Sequence, residues 1–273
     1  MQSMPFTVML KLISLKTDEP VVCKIRLVAR PSPHSLSLRM NMKIAADFSK
    51  REIVHSAVTP WVNSPMAGVA RRPLDRVGEE VARATSVVRY APGSQFSPHL
   101  HAGGEEFVVL EGVFQDEHGD YPAGSYVRNP PQSSHTPESK SGCIILVKLW
   151  QFQPEDRTQV RLNINKLASF AYPGVQGISV IRLFKDSHEQ VSVIDIQPNT
   201  AMELVPQGGA ELFVLQGKVM EQQDTLLKHS WLRSPIGHPL SLKTDEARAK
   251  IWIKTGNLSD VDQQIQRVNK AIQ

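Results

Sequence analysis

The chain repeats itself at one spacing, and this repeat limits what it can fold into more than any other feature. Three apolar segments recur after a shift of 105 positions. They are EEFVVLEG at 105–112 and AELFVLQG at 210–217, SYVRNP at 125–130 and SWLRSP at 230–235, and IILVKLW at 144–150 and AKIWIKT at 249–255. A single shift held across three segments predicts two copies of one structural unit, each of roughly 105 residues.

Each unit is predicted to be built from short β-strands. Segments such as RATSVVRY and CIILVKLWQF are rich in β-branched and aromatic residues, and turn sequences such as NPPQSS separate them. Helical spacing occurs only at the end, where Ser259 is placed to cap a helix. Its apolar face comprises Val261, Ile265, Val268 and Ile272. The prediction is an all-β chain of two tandem barrels or jelly rolls with a short C-terminal helix, since closed or doubled sheets protect their edges.

The division into domains follows from the repeat. The first forty residues are turn-rich without periodicity, and Met40 and Met42 precede the first ordered-looking segment. The predicted parts are a disordered or non-native extension at 1–42, a metal-binding barrel at 43–160, a degenerate barrel at 161–257 and the helix at 258–273. If residues 1 to about 40 are such an extension, the native chain starts at Met40 or Met42. Mass spectrometry of the native protein tests this, because a first residue upstream of Met40 would exclude the later start.

Composition excludes several classes of partner. Hydrophobic residues make up 41% and charged residues 21%, as in globular proteins. The net charge is +4 with no basic run, so no nucleic-acid partner is expected. The longest apolar runs are of strand length, so no membrane span is predicted. Lys11 interrupts the N-terminal apolar stretch and no cleavage site follows, so no export is predicted, and we expect a cytoplasmic protein. Cys23 and Cys143 form no CxxC pair, and Cys143 is predicted to be a buried small hydrophobe.

The segment SPHLHAGGEE, residues 97–106, carries the candidate site. His99 and His101 face the same side of a strand, and the Ala-Gly-Gly turn after them returns Glu105 towards the pair. His135 follows a turn-rich loop that can fold inwards. Three imidazoles and one carboxylate form a suitable ligand set for a divalent transition metal. Phe107, Val109 and Glu111 are predicted to line the same barrel.

The spacing of these residues resembles the first motif of the cupin superfamily. In that motif a glycine is followed after five residues by H-x-H, after three or four more by a glutamate and, after a further six, by a glycine. Gly93, His99, His101, Glu105 and Gly112 meet every spacing.

The second cupin motif is matched in part. Gly124, Pro130 and His135 fit it, while Gln132 replaces a glycine and Ser139 an asparagine. Neither replacement changes a candidate ligand, but both affect the expected shape of the loop. Residues 90–137 resemble in particular the cupin domain of ChrR-type anti-sigma factors.

The resemblance implies a β-sandwich barrel whose metal ligands are His99, His101, Glu105 and His135. It extends over about residues 45–255 as two cupin units, through the motifs in the first and through the repeat alone in the second. One divalent metal per chain is implied, with zinc or iron first and manganese or nickel as alternatives. Because imidazoles must lose a proton to bind, metal release is expected as the pH falls.

Three functions remain open from the sequence. The first is metal-dependent binding of a small molecule or an oxygen species. The second is a non-haem iron dioxygenase that cleaves a diketone-like substrate, as similar cupins do. The third is a stress-sensing regulator. ChrR-type proteins bind a sigma factor through an HxxxCxxC motif, and this sequence lacks that motif, so a sigma-factor partner is not expected. A homodimer is predicted, since cupins often pair through their sheets.

Other acidic and histidine side chains are alternatives to this ligand set. Glu106 fits the motif's longer spacing but then leaves only five residues before the next glycine, so Glu105 is favoured. Asp116, Glu117 and His118 are a candidate weak surface site. No chemical role is predicted for the partnerless histidines, which are His34, His55, His188 and His229.

The second copy lacks the ligand pattern. At the shift of 105 the four positions hold Leu204, Pro206, Ala210 and Leu240, and a slip of one residue gives Val205, Gln207 and Glu211. His238 stands alone near the second loop. This barrel is therefore expected to hold no metal and to serve in packing, in dimerisation or as an apolar pocket.

Overall fold

The computed structural model describes residues 42–272, and the predicted extension at 1–42 lies almost wholly outside this range. Within these residues the chain forms 24 β-strands, a 3₁₀ turn at Ile164–Lys166 and one α-helix, α1, at Val261–Ala271. The strands are β1 (Lys43–Ile44), β2 (Glu52–His55), β3 (Val62–Asn63), β4 (Val69–Gly78), β5 (Ala82–Tyr90), β6 (Ser94–Gln95), β7 (His99–His101), β8 (Glu105–Asp116), β9 (Gly119–Pro122), β10 (Ser125–Asn129), β11 (Ser133–His135), β12 (Glu138–Ser139), β13 (Cys143–Leu149), β14 (Val160–Asn163), β15 (Phe170–Ala171), β16 (Ile178–Lys185), β17 (Gln190–Ile196), β18 (Ala201–Leu204), β19 (Ala210–Gln216), β20 (Lys218–Glu221), β21 (Asp224–Leu227), β22 (Ser230–Ser234), β23 (Leu240–Lys243) and β24 (Ala249–Thr255).

The strands form two antiparallel assemblies with the same order. The first barrel contains the path β4-β5-β13-β8-β10, and the second contains β16-β17-β24-β19-β22. The small sheet β7–β11 belongs to the first barrel and the sheet β18-β23-β20-β21 to the second. The predicted all-β fold of two tandem jelly-roll barrels with a C-terminal helix is therefore confirmed. The domain boundaries stay predictions.

The repeat shifts by one residue in its third segment. β8 and β10 correspond to β19 and β22 at the shift of 105. In β13, however, Lys148 lies opposite Glu106, and in β24 Lys254 lies opposite Glu211. These pairs place Lys148 and Lys254 at equivalent positions, 106 residues apart. The single shift expected for all three segments is wrong there, because one extra residue precedes β24.

Each main sheet is extended by a strand from beyond its own repeat. β14 pairs with β10 in the first sheet. The equivalent place beside β22 is taken by β2, which lies in the sequence between β1 and β4 of the first sheet. The backbone hydrogen bonds of β2 therefore tie the start of the described chain to the second sheet.

Three apolar clusters form the core. One fills the first barrel around Phe107, Ile145 and Val147, and one fills the second around Leu212, Ile251 and Leu240. The third joins residues from both main sheets, and it includes Val87, Val108, Tyr126, Leu146, Val193, Phe213, Trp231 and Trp252. The two main sheets thus pack face to face, as in β-sandwiches.

Charged side chains are buried in this same sheet-to-sheet interface. The interbarrel ion network comprises Asp75, Arg83, Glu106, Arg128, Lys148, Glu189, Glu211, Arg233 and Lys254, all of them buried. Lys148 crosses to Glu211, and Lys254 Nζ crosses to Glu106 Oε2 at 2.6 Å. Each lysine therefore binds the carboxylate of the other repeat, in a reciprocal pair that fixes how the two sheets face each other.

The C-terminal helix packs on the first barrel. Its N-cap is Asp260 rather than Ser259, and no side chain there accepts a capping hydrogen bond, so the predicted cap is wrong. Val261 and Val268 are buried as expected, but so is Gln264. Gln264 Oε1 accepts a hydrogen bond of 2.8 Å from Arg83, which links the helix to the ion network. No helix among the described residues has the length and hydropathy needed to cross a bilayer.

Candidate metal centre

Three imidazoles converge at one end of the first barrel. His99 and His101 lie on β7, and the antiparallel pairing of β7 with β11 places His135 opposite His99. The ring centroids are 4.7–5.2 Å apart, and one nitrogen of each ring lies within 4.8 Å of the others. His101 and His135 are buried, whereas His99 is exposed. The structure therefore brings together the histidines that the sequence singled out.

The glycines after β7 make the tight turn. Gly104 has φ +77°, a backbone conformation that residues other than glycine rarely adopt, and its N–H donates to the carbonyl oxygen of His101 at 3.2 Å. A Cβ at Gly103 would lie 2.2 Å from the ring of Trp150. Close packing of this ring and the left-handed turn both require glycine, and together they return the chain to β8.

The turn places Glu105, and not Glu106, beside the imidazoles. Glu105 Oε2 lies 3.4 Å from His101 Nε2 and 3.5 Å from His135 Nε2. Asn129 Nδ2 donates to the same oxygen at 3.3 Å. Glu106 points to the opposite face of β8, where it accepts hydrogen bonds from Lys254 and Tyr126. Because side chains alternate along a strand, Glu105 lies beside the histidines and Glu106 lies in the interbarrel ion network.

A bulge in β8 changes which side chains face the barrel interior further along the strand. Phe107 and Val109 line the barrel as predicted, but Glu111 is exposed. Opposite β13, the register shifts so that Ile144 faces Glu111 and Ile145 faces Val109. The extra residue, Leu110, reverses the alternation, and the predicted lining role of Glu111 is wrong for that reason.

The same reversal brings Asp116 to the cluster. Its Oδ2 lies 3.2 Å from His135 Nδ1, while its Oδ1 accepts hydrogen bonds from the backbone N–H of His118 and the hydroxyl of Tyr121. Asp116 therefore does not form a surface site with Glu117 and His118. Its contact with His135 is not evident from the sequence, because only the bulge makes Glu105 and Asp116 face the same side.

Burial and neighbouring charges shift the pKa values of His101 and His135 in opposite directions. Burial, together with the nearby rings of His135 and His99, lowers the pKa of His101 despite the attraction of Glu105. Burial also lowers the pKa of His135, but its hydrogen bond to Asp116 and the charge of Glu105 outweigh this, and the pKa is raised. The two Nε2 atoms are 2.9 Å apart, so one donates and the other accepts.

The loop before His135 keeps the shape of the motif although its glycine is replaced. Gln132 has φ +72°, the left-handed conformation for which a glycine is suited, and its N–H donates to His101 O at 3.0 Å. Ser139 replaces the motif's asparagine, is fully buried and donates to Val113 O at 2.7 Å. Both departures therefore preserve the loop that carries His135.

A pocket of about 330 Å³ adjoins the cluster. His99, His101 and Glu105 form one part of its wall. Its other lining residues include apolar side chains from β5, β13 and the preceding loops, among them Val88, Phe96, Val147, Leu149 and Trp150. This volume and mixture of walls suit a small molecule.

The second barrel fills the equivalent positions with apolar groups. Ala210 and Leu240 are fully buried in its core, and Leu204 packs against them. Leu204 and Pro206 also line an open pocket of about 330 Å³. Within residues 42–272, the three histidines of the first barrel are the one group with ligand atoms arranged for a metal.

The histidines outside the cluster have ordinary partners. His55 Nδ1 lies 2.9 Å from Ser230 Oγ, and His188 Nδ1 lies 3.2 Å from Asp260 Oδ2. The ring of His229 stacks on Phe213, and His238 Nδ1 lies 3.2 Å from a backbone carbonyl oxygen. His34 lies outside the described residues. Cys143 is buried as expected, and burial raises its pKa to about 11.

Residues 49–153 match the ChrR cupin-like domain. The chain's first barrel is a ChrR-like cupin domain, and the chain has the cupin fold. The match ends within the first barrel of this cupin, which contains all four predicted ligands, and no curated protein sequence is similar enough to count as a relative.

Solved structures share the two-barrel fold of this cupin. A proposed dioxygenase of Nostoc punctiforme superimposes with a TM-score of 0.61 at 15% identity, over 77% of this chain and 84% of that one. A cupin 2 conserved barrel domain protein from Leptotrichia buccalis gives 0.52 at 11% identity, over 75% and 96%. Oxalate decarboxylase of Lactobacillus farciminis in its formate complex gives 0.53 at 11% identity, over 75% and 86%. At these identities the likeness concerns the fold.

Proposed function

We propose that this cupin binds one divalent transition metal through His99, His101, Glu105 and His135 and presents it to a small molecule in the adjoining pocket. The observation that carries the proposal is the convergence of three imidazole nitrogens within 4.8 Å, with Glu105 Oε2 at 3.4–3.5 Å from two of them. Imidazole nitrogens and a carboxylate oxygen suit zinc, iron, manganese or nickel.

The number of ligands connects the metal to the possible chemistry. Four protein ligands fill a tetrahedral zinc site, whereas six-coordinate iron, manganese or nickel keeps two positions for a substrate or dioxygen. When bound, the metal would supply Lewis-acid or redox chemistry. The chain's own residues orient the imidazoles, exclude water with the apolar pocket wall and hold the proton of His135 at Nδ1 against Asp116.

The test is the metal content of protein purified from cells grown without metal supplements. Elemental analysis is expected to give close to one transition-metal ion per chain. Protein that takes up no ion even after dialysis against iron, zinc, manganese and nickel would contradict the proposal.

Dioxygen-dependent cleavage of a carbon-carbon bond is the second candidate function. It is supported by the pocket, which gives an organic substrate room beside the cluster, and by the similar fold of a proposed dioxygenase. Stoichiometric iron with oxygen uptake in the presence of a β-diketone would support this enzyme. Tightly held zinc without turnover would instead support a binding module or a stress sensor. The homodimer and the cytoplasmic location stay predictions.

Asp116 is expected to strengthen metal binding through His135. A carboxylate that accepts the second N–H of a ligating histidine fixes the ring and its tautomer, and its loss weakens metal binding by about 10–100-fold. Asp116→Asn should therefore lower the affinity by that factor in a competition assay with a chromophoric chelator. Asp120→Asn is the matched control, since its Oδ1 accepts only from Gln115 in the neighbouring strand pair. Equal affinities for the two variants would show that Asp116 has no such role.

A further inference from the structure

The pocket beside the histidine cluster has a second polar end. Arg71 and Arg76 on β4 line it together with the histidines. In the sheet, β5 and β13 lie between β4 and β8, which carries Glu105, so their apolar side chains separate the arginines from the cluster. The pocket thus has a cluster of metal-ligand type at one end, an apolar middle and guanidinium groups at the other end.

The register of the first sheet shows that Arg71 faces the barrel interior. Arg71 lies opposite Val88, and Val88 belongs to the apolar cluster that fills the barrel. Val69, two residues before Arg71 on the same strand, belongs to that cluster as well. Alternation along a strand then places Arg71 on the inner face. Arg72 lies on the outer face, where its guanidinium carbon is 4.0 Å from the ring centroid of Trp61.

Arg71 has no charge partner within residues 42–272. No carboxylate there lies within 4.0 Å of its guanidinium, and it makes no side-chain hydrogen bond. Arg76, by contrast, donates to the backbone carbonyl oxygens of Gly78 and Glu79. Glu80 lines the pocket as well, but it is exposed and lies beyond ion-pair distance of both arginines. A half-buried guanidinium without a partner is suited to an anionic ligand.

Neighbouring groups respond to the charge of Arg71. Burial and then the charge of Arg71 lower the pKa of Arg76, so the two guanidinium groups lie close enough to repel each other. At Tyr90, burial and then the charge of Glu105 raise the pKa of the hydroxyl, while Arg71 acts in the opposite direction. Tyr90 lines the same pocket as Arg71 and Glu105, so one space joins the two ends.

We infer that the pocket takes a small molecule with a carboxylate at one end and a metal-binding oxygen at the other, and that Arg71 binds the carboxylate. The inference rests on the proposed function, because the second end of the ligand would meet the metal. An apolar spacer between the two groups matches the side chains that line the middle of the pocket.

The test compares an acid with its ester on metal-loaded protein. The probes are 5-oxohexanoate and methyl 5-oxohexanoate, which differ only in charge at one end, and binding is measured calorimetrically without oxygen. The acid is expected to bind the wild type at least about tenfold more tightly than the ester, since hydrogen bonds to charged groups are the stronger ones. Arg71→Gln should abolish this preference, and Arg71→Lys should keep part of it.

The controls separate the inference from the proposed function. Arg72→Gln removes the same charge from the outer face of the same strand and should leave the preference unchanged. Metal content is measured on the same samples, so a missing metal counts against the proposed function. Equal binding of acid and ester by the wild type, no binding of either, or a preference that survives in Arg71→Gln would each overturn the role of Arg71.

Discussion

Replacing His101 with alanine is expected to abolish binding of the proposed metal by this cupin. His101 is buried, its Nε2 faces both His135 and Glu105, and loss of this nitrogen leaves an incomplete ligand set. We expect the affinity to fall by more than about 100-fold, which exceeds the loss typical of groups that only orient a ligand. His135→Ala should have the same effect. Elemental analysis after dialysis measures it.

A histidine outside the cluster provides the control. His118 is exposed in the turn between β8 and β9, so His118→Ala removes an imidazole from the same barrel without touching the other three. Its metal content should stay close to that of the wild type. Circular dichroism is expected to be unchanged in all three variants, since the apolar core of the barrel remains. Full metal content in His101→Ala would show that the ion is held elsewhere.

Replacing Glu211 with glutamine is expected to destabilise the fold by about 3–5 kcal/mol, the cost of breaking a buried ion pair. Glu211 is fully buried in the interbarrel ion network and accepts hydrogen bonds from Lys148, Trp231 and Asn257. The cations around it are Lys148, Arg83 and Arg233, and Asp75 is the other carboxylate near them. The variant would leave three buried cations with one carboxylate. Denaturant unfolding at pH 7 measures the change.

The same variant should flatten the acid dependence of stability. Burial raises the pKa of Glu211, but the charges of Lys148 and Arg83 outweigh it and lower the pKa from 4.5 to about 2. A lowered folded-state pKa contributes stability above the unfolded value, and this contribution is lost as the pH falls from about 4.5 towards 2. The wild type should therefore lose up to about 3 kcal/mol more than Glu211→Gln across this window. Unfolding curves at pH 5, 4 and 3 follow the difference.

An exposed carboxylate in the same barrel supplies the comparison. Glu203 is exposed on β18, and Glu203→Gln is expected to change the free energy of unfolding by less than about 0.5 kcal/mol. If Glu211→Gln were as stable as Glu203→Gln at pH 7, the buried pairs would not hold the two sheets together.

Much of the fold was determined by local pattern. The alternation in EEFVVLEG, SYVRNP and their later copies predicted the strands, because residues two apart share a face. The repeat predicted two barrels, because one copy implies the topology of the other. The spacing of His99, His101, Glu105 and His135 predicted which side chains meet, since a tight glycine turn and an antiparallel strand pair leave few other arrangements.

The tertiary structure decided what local pattern does not encode. The bulge at Leu110 exposes Glu111 and brings Asp116 to His135, and nothing in a strand sequence fixes where an extra residue is accommodated. Glu106, Lys148 and Glu211 have the pattern of a solvent-facing side, yet they are buried because two such faces pack together. Which faces meet depends on the packing of whole sheets, and the strand order of the first sheet sets Arg71 across the pocket from the histidines.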